Sequence, residues 1–260
     1  MIGLLLAAAA ALVAAFVLAP AALLRPAFGA YDYAKLQDAF GSALVEYWRS
    51  GTPVFPARLT TLVDYWFQWH AIKVAISALS VVVFALLTTA LWRRYLRARP
   101  WYAAAATAAA VLTVLAVGVL MLNIQATAVP LVALLGLLPG RTPDATLAQV
   151  LGEMREGLTE SANPHAGSPA LAVLLGEVER YHWVMVAVSA TLMVATGLVS
   201  AHFWKRRSTG DRGATRVRFM QGALGVIAAL TACLLLLMTG ASALSALEPA
   251  TTLLDVIGAG

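Results

Sequence analysis

His70-Ala-Ile-Lys-Val-Ala-Ile-Ser77 recurs further along the chain as His182-Trp-Val-Met-Val-Ala-Val-Ser189. The same offset of 112, from 70 to 182, also relates Trp92-Arg-Arg94 to Trp204-Lys-Arg206 without a gap. We call residues related by this offset matching residues. Self-similarity at a fixed spacing is typical of a repeat architecture. We therefore predict a two-helix unit that occurs twice in tandem and is followed by the first helix of a third unit. The predicted units are 1–101, 102–218 and 219–260.

Composition indicates the broad class of protein. Hydrophobic residues make up 61% of the chain and charged residues 12%, and the mean hydropathy is +0.80. Several apolar runs reach the ~20 residues that a helix needs to cross a bilayer. These runs are continuous and do not alternate, which excludes a membrane β-barrel. We predict an all-α, polytopic membrane protein with five transmembrane helices. The predicted spans are Ile2 to Leu24, His70 to Leu91, Tyr102 to Asn123, Trp183 to Phe203 and Phe219 to Leu244.

Two short basic turns predict the orientation in the membrane. The turn from Trp92 to Trp101 holds four arginines and no acid, and the turn from Lys205 to Arg218 holds six basic residues and Asp211. Such turns lie on the cytoplasmic side. We expect a multi-pass protein of a bacterial-type plasma membrane, with a cytoplasmic N-terminus and an extracytoplasmic C-terminus. The net charge of +5 is then a topological signal, so no nucleic-acid partner is expected.

The two longer loops, 24–69 and 125–182, are predicted to be helical and extracytoplasmic. Apolar residues recur there at helical spacing, either as the buried faces of short helices, which we favour, or as helices lying on lipid head groups. Those residues are Leu36, Phe40, Leu44 and Tyr47 in the first loop, and Leu147, Leu151, Met154 and Leu158 in the second. Cys233 is the only cysteine, so no disulfide within the chain can hold the loops.

Prolines predict where several helices begin. Thr142-Pro143-Asp144 and Ser168-Pro169 each put a capping hydroxyl before a proline that suits the first helical turn. A single helix from Pro169 to Phe203, and another from Pro56 to Trp92, would be ~50 Å long and would extend beyond the bilayer core. Similar Pro-Ala or Pro-Leu segments at Pro20, Pro130 and Pro249 predict that the first span belongs to the repeat and is not a cleaved leader.

His70 and His182 are the candidate cofactor ligands. Equivalent positions of parallel repeats are set symmetrically by their pseudo-twofold axis. Facing imidazoles there would ligate one haem b at the outer leaflet, or bind a divalent ion with Asp64 and Glu179. Histidine, tyrosine and tryptophan also collect at the bilayer interface for their amphipathic character alone. We favour the interface interpretation and expect no cofactor and no metal, with haem b as the alternative.

Lys73, Asn123 and Gln125 form the other candidate polar membrane site. Lys73 lies one turn inward from His70, and its matching residue is Met185. An intramembrane lysine is by default a functional hypothesis, although its long side chain can reach the interface. Asn123 and Gln125, near Thr127, would line a quinone or ion site, or bond a neighbouring helix. We favour the structural interpretation for all three.

The function expected from these features is that of a non-enzymatic membrane subunit, a scaffold or accessory component of a cell-envelope complex. The chain has no phosphate loop, no Cys-x-x-Cys motif, no nucleophile elbow and no carboxylate within the predicted spans. Its partners would be other integral membrane proteins or further copies of the chain, together with lipids. Small residues at Gly222, Gly225 and Ala229 predict an assembly surface on the fifth span. The alternative is a redox subunit with haem b between His70 and His182.

Overall fold

The structure is a computed structural model that describes residues 1–29, 31–138, 144–160, 168–209 and 215–258. Within those ranges the chain forms α-helices and no strand. The predicted Thr142-Pro143 helix start lies outside them. The helices are α1 Ile2–Phe28, α2 Tyr33–Ser50, α3 Ala57–Arg97, α4 Tyr102–Ala128, α5 Pro130–Leu135, α6 Ala145–Glu160, α7 Pro169–Thr209, α8 Thr215–Leu247 and α9 Pro249–Gly258.

Five of these helices, α1, α3, α4, α7 and α8, are long and apolar enough to cross a membrane. Each contains one of the five predicted spans. For the described residues this confirms the prediction of an all-α chain with five helices that suit a multi-pass membrane protein. The helices extend beyond the predicted spans because apolar length marks only the part that fits the bilayer, while backbone hydrogen bonding continues into more polar sequence.

The helices α3 and α7 are each 41 residues long and unbroken. This confirms the prediction of two continuous helices, and each is about 60 Å long at 1.5 Å per residue, which exceeds the ~50 Å expected from the sequence. As predicted, α7 begins at Pro169, where the missing N–H leaves no intrahelical hydrogen bond unmade. Both ends of α7 match those of α3 at the offset of the repeat, from 57 to 169 and from 97 to 209. The superposition of two repeat units stays a prediction.

The three prolines that we grouped by sequence occupy different structural positions. Pro20 lies inside α1, as does Pro26, whereas Pro130 and Pro249 begin the short helices α5 and α9. A proline at a first helical position costs no hydrogen bond, whereas one inside a helix removes the donor to the carbonyl four residues earlier. Their similar neighbours in sequence therefore do not reflect one shared local structure.

The chain forms two compact units, and each draws on three stretches of sequence. We call them the first and second compact unit. The first comprises 1–19, 72–123 and 186–240, and the second comprises 20–71, 124–185 and 241–260. The units follow spatial packing, whereas the predicted divisions 1–101, 102–218 and 219–260 follow sequence similarity. The repeat boundaries therefore stay a prediction.

In the second compact unit, α2 packs on α6 and α6 packs on α9. A Cβ atom on Gly41 would lie 3.0 Å from the end of the Leu147 side chain, so a larger residue here would require Leu147 to shift. The indole of Trp48 also donates to the Glu153 carboxylate at 2.9 Å. The apolar residues predicted for the two helical faces are buried, apart from half-buried Leu147.

Aspartates cap α2 and α6 at matching positions. The Asp32 carboxylate accepts from the Lys35 backbone amide at 2.8 Å, and the Asp144 carboxylate accepts from the Leu147 amide at 2.8 Å. Each bond satisfies one N–H that the first helical turn leaves unpaired. The bonds with Lys35 hold the pKa of Asp32 below its ordinary value. The offset of the repeat thus relates the two caps, and it also relates the first residues of the helices that they precede.

The first compact unit has a small core where α3, α4 and α8 meet. Trp92 and Tyr95 of α3 lie in contact with each other and with Phe219 of α8. Alanines of α4, Ala106 and Ala109, complete the buried cluster. Because alanine lets helices approach closely, this arrangement suits packing in lipid, where van der Waals contact drives helix association.

Candidate functional site

Each of the two histidines contacts an aromatic neighbour on its own helix. Nδ1 of His70 lies 3.0 Å from the carbonyl oxygen of Trp66, and the two ring centroids are 4.7 Å apart. The His182 ring meets the Tyr181 ring edge-on at 5.4 Å. Both histidines are half-buried. Aromatic neighbours of this kind suit a bilayer interface, and the pairing of the two imidazoles across a haem stays a prediction.

The remaining candidate metal ligands have ordinary partners or lie apart. Glu179 accepts a hydrogen bond from the Trp183 indole at 3.2 Å, and Asp64 is exposed on α3. Throughout the ranges that the structure describes, no three side chains of His, Cys, Asp or Glu are grouped so that they could hold a metal ion.

The buried amides of Asn123 and Gln125 both donate to backbone carbonyls, and the Gln125 bond links two helices. The Gln125 side chain of α4 donates to the Tyr181 carbonyl of α7 at 3.1 Å. The Asn123 side chain donates within α4 to the Val119 carbonyl at 2.7 Å. A buried amide is costly to leave unbonded, and each of these two donates to a backbone carbonyl of the chain. The contacts therefore support the structural interpretation of both residues.

Lys73 lies beside a groove in the first compact unit. Its ammonium nitrogen is 4.7 Å from the centroid of the Phe16 ring. The Phe16 ring is part of the wall of an apolar groove of 260 Å³ among α1, α3 and α4. Four further positions define its walls, Leu12 on α1, Ser77 and Phe84 on α3, and Leu112 on α4. We call this space the Lys73 groove.

Ser77 is the unusual residue of the Lys73 groove. It is only 2% exposed, and its hydroxyl has no hydrogen-bond partner among the residues that the structure describes. The hydroxyl of Ser80, also on the groove wall, donates to the Ile76 carbonyl at 2.8 Å. Most buried hydroxyl groups are bonded, so an exception calls for an explanation. The sequence motif contained Ser77, but its spacing gave no sign that this hydroxyl would lack a partner.

The matching stretch of α7 is covered by other parts of the chain. Met185, which matches Lys73, is buried. Ser189, which matches Ser77, is fully buried, and its hydroxyl lies 2.8 Å from the Thr239 hydroxyl of α8. A second helix of the same chain therefore meets the serine hydroxyl in α7. The two matching serines differ in what surrounds them.

A larger cavity of 430 Å³ lies among α3, α4, α7 and α8, also within the first compact unit. Five threonines are on its walls. Each donates to a carbonyl one turn earlier on its own helix, and Thr88 and Thr113 also lie 3.3 Å apart. The threonines are Thr88, Thr89, Thr113, Thr196 and Thr231. Their hydroxyl hydrogens are thus already used, and the remaining lining is apolar.

The small residues of α8 contact α7, which corrects the prediction that they face a partner. A Cβ atom on Gly225 would lie 3.2 Å from the Trp204 indole, and one on Gly222 would clash with the Arg207 side chain. Ser200 of α7 donates to the Gly225 carbonyl at 2.9 Å. Small residues indicate that some helix approaches closely. Here that helix belongs to the same chain.

Comparison with models of known families, with curated proteins and with solved structures finds no match for this chain.

Proposed function

We propose that this chain is a non-enzymatic integral membrane subunit, a scaffold or accessory component of a cell-envelope complex. Its partners are other integral membrane proteins or further copies of the chain, with lipid around them. The observation that carries the proposal is how little of α1 the chain itself covers. In its apolar stretch 6% of the residues are buried, whereas the figure is 28% in α3 and in α4. Helices associate in lipid through close packing. The least covered of the five apolar helices, α1, therefore has the most room for a partner helix.

The uncovered face of α1 is well shaped for a partner helix. Gly3, Ala7 and Ala11 are exposed and spaced four residues apart, on one side of the helix. No heavy atom lies within 4 Å of the position that a Cβ on Gly3 would take. Small residues at this spacing let two backbones approach closely, which is a common basis of helix pairing in membranes. We therefore assign assembly to α1 in place of α8.

The test is a pair of double substitutions with the same chemistry. Ala7→Leu with Ala11→Leu enlarges the proposed face, and Ala104→Leu with Ala108→Leu makes the same change at two exposed alanines on α4. Leucine favours membrane insertion, so both variants should reach the membrane. We expect only the α1 variant to lose its native partner or oligomer after solubilisation. Equal recovery of the assembly from both variants would exclude α1 as its surface.

The proposed location is a bacterial-type plasma membrane, with the N-terminus in the cytoplasm and the C-terminus outside. It is supported by the arginine-rich turns that follow α3 and α7. In a chain with Cys233→Ser, cysteines replacing Ser50 and Ala98 report on opposite sides. A membrane-impermeant reagent added to intact cells should modify the first and spare the second. The reverse pattern would invert the topology.

The alternative function is a redox subunit with one haem b between His70 and His182. It is favoured by one observation, the matching register of the histidines. Each occupies the same position relative to the start of its helix, with α3 beginning at Ala57 and α7 at Pro169. The contact of His70 Nδ1 with a backbone carbonyl is of the kind that orients ligating imidazoles. A Soret band that disappears when both histidines become alanine would support this function, and a colourless native preparation would exclude it.

A further inference from the structure

The Lys73 groove has the Lys73 ammonium beside it, near Phe16, and a largely apolar wall. We propose that it binds one anionic phospholipid, with the phosphate beside Lys73 and one acyl chain along the groove. This inference concerns a ligand site within the first compact unit and does not depend on the assembly proposed for α1. Three features carry it: the order of side chains along α3, the position of the lysine ammonium, and the partnerless hydroxyl of Ser77.

Lys73 and the groove residues of α3 run from charged through polar to apolar along one helix face. Lys73, Ser77, Ser80 and Phe84 follow one another at intervals of four, three and four residues. That spacing keeps side chains on the same side of a helix. The stretch from Lys73 to Phe84 covers about 16 Å at 1.5 Å per residue. The order of groups matches that of a phospholipid, which runs from phosphate through ester to hydrocarbon.

The lysine determines the charge of the occupant. Its ammonium lies over the Phe16 ring at 4.7 Å, where the negative face of the ring offers partial stabilisation. A positive charge beside an apolar groove attracts a ligand that carries a negative one. Because the rest of the groove wall is formed by valine, leucine, alanine, serine and phenylalanine, the ligand must also carry a hydrocarbon chain. An anionic phospholipid meets both requirements.

Ser77 determines where the polar part of the ligand ends. Its buried hydroxyl lies one turn along α3 from Lys73 and lacks a partner among the described residues. A glycerol ester carbonyl is a hydrogen-bond acceptor at this depth below a phosphate. The hydroxyl of Ser80 is not the donor, because it already donates to the Ile76 carbonyl. The ester therefore receives its hydrogen bond from Ser77.

The matching level of α7 makes a site of this kind impossible there. Met185 replaces the cation, and the Ser189 hydroxyl is bonded to Thr239. A chain with two matching helices thus combines the cation with a partnerless hydroxyl on only one of them. We therefore expect a single phospholipid of this class per chain at this level of the two helices.

The experiment uses the full chain, purified in detergent, stripped of lipid and titrated in native mass spectrometry. The probes are dioleoyl phosphatidylglycerol, which is anionic, and dioleoyl phosphatidylcholine, which has the same chains and no net charge. We expect one tightly bound phosphatidylglycerol and about fivefold weaker binding of phosphatidylcholine, because the choline cation offsets the attraction between its phosphate and Lys73. Equal affinity for the two lipids would overturn the proposal.

Two variants test the two polar contacts separately. Lys73→Gln should lower phosphatidylglycerol affinity to the level of phosphatidylcholine, while Lys205→Gln removes a lysine outside the groove and should leave the preference intact. Ser77→Ala should weaken both lipids about fivefold, as loss of one hydrogen bond does. Ser80→Ala should not. If Lys73→Gln has no greater effect than Lys205→Gln, phosphate recognition at Lys73 is excluded.

Two further measurements identify the occupant. Ala116→Leu keeps both polar groups but fills the groove from α4, so it should weaken both lipids while the thermal unfolding midpoint stays close to that of the native chain. Excess glycerol phosphate should not displace the phospholipid, and displacement would mean that a free anion is the ligand. A dimer in the lipid-free protein that Ala116→Leu abolishes would instead place a second copy in the groove.

Discussion

The two helices α3 and α7 have the same length and matching ends, and each has a histidine at the same position from its start. Their surroundings differ. In α3, Ser77 lines a groove and half-buried Lys73 lies beside it, whereas in α7 the matching Met185 is buried and the matching Ser189 hydroxyl lies against the Thr239 hydroxyl of α8. Two stretches with matching residues thus form helices of equal length, while a few side chains decide whether neighbouring helices cover a position or leave it open.

At the ends of these helices that are predicted to be cytoplasmic, α3 is the more buried helix and α7 the more exposed one. Trp92 of α3 is 4% exposed and contacts Tyr95 and Phe219. The matching Trp204 of α7 is 43% exposed, and it lies beside Gly225 with Arg207 over its ring. At this level α3 is the more closely packed helix. How closely each helix is packed therefore varies along its length, and neither helix is the more exposed one throughout.

The largest expected effect comes from removing the two tryptophans one at a time. Trp92→Ala should lower the free energy of unfolding by about 4 kcal/mol, because it empties a buried aromatic cluster. Trp204→Ala should cost about 1 kcal/mol, since much of that ring is already exposed. Unfolding of the purified protein in mixed micelles measures both. Equal losses would contradict the difference in packing between the two ends.

The next effect comes from exchanging the residues at the level of the groove. Met185→Lys should lower the free energy of unfolding by about 3 kcal/mol, because it puts a cation at a closed position in a span. Lys73→Met removes a cation from the groove and should be nearly neutral for stability in the lipid-free protein. The same micelle titration measures both, and similar losses in the two variants would show that α7 is not closed there.

An intermediate effect is expected where α8 passes α7. Gly225→Leu should cost about 2 kcal/mol, because added atoms would overlap the Trp204 ring. Gly240→Leu is the control on the same helix, since nothing lies within 4 Å of its Cβ position. Thermal unfolding in detergent measures both. A stable Gly225→Leu variant would mean that α7 and α8 can separate here without loss, and would reopen α8 as a partner surface.

The smallest effect separates the two matching serines. Ser189→Ala should cost about 0.6 kcal/mol, the usual size of a hydrogen bond between membrane helices, because it removes the bond to Thr239. Ser77→Ala should cost nothing in the lipid-free protein, where its hydroxyl has no partner among the described residues. Precise unfolding titrations are needed to resolve them. A larger loss from Ser77→Ala than from Ser189→Ala would reverse the comparison.

The spans were predictable because a membrane imposes a length and a composition that can be counted along the chain. The start of α7 was predictable from Pro169 for an equally local reason. The groove was not, because it depends on how far α1 lies from α3 and α4, which no local pattern contains. The partner assigned to Gly225 was wrong for the same reason: spacing indicates a close helix without saying which helix it is.

Pro20 affects how fast a lipid bound in the Lys73 groove can exchange. A proline has no N–H, so the carbonyl of Phe16, four residues earlier, lacks its normal helical donor. Phe16 is the residue whose ring faces the lysine ammonium. A turn with a missing hydrogen bond opens more readily than its neighbours, and this turn forms part of the groove wall. We therefore expect α1 to govern how fast a bound lipid exchanges, with Pro20→Ala lengthening its residence time while the equilibrium occupancy changes little.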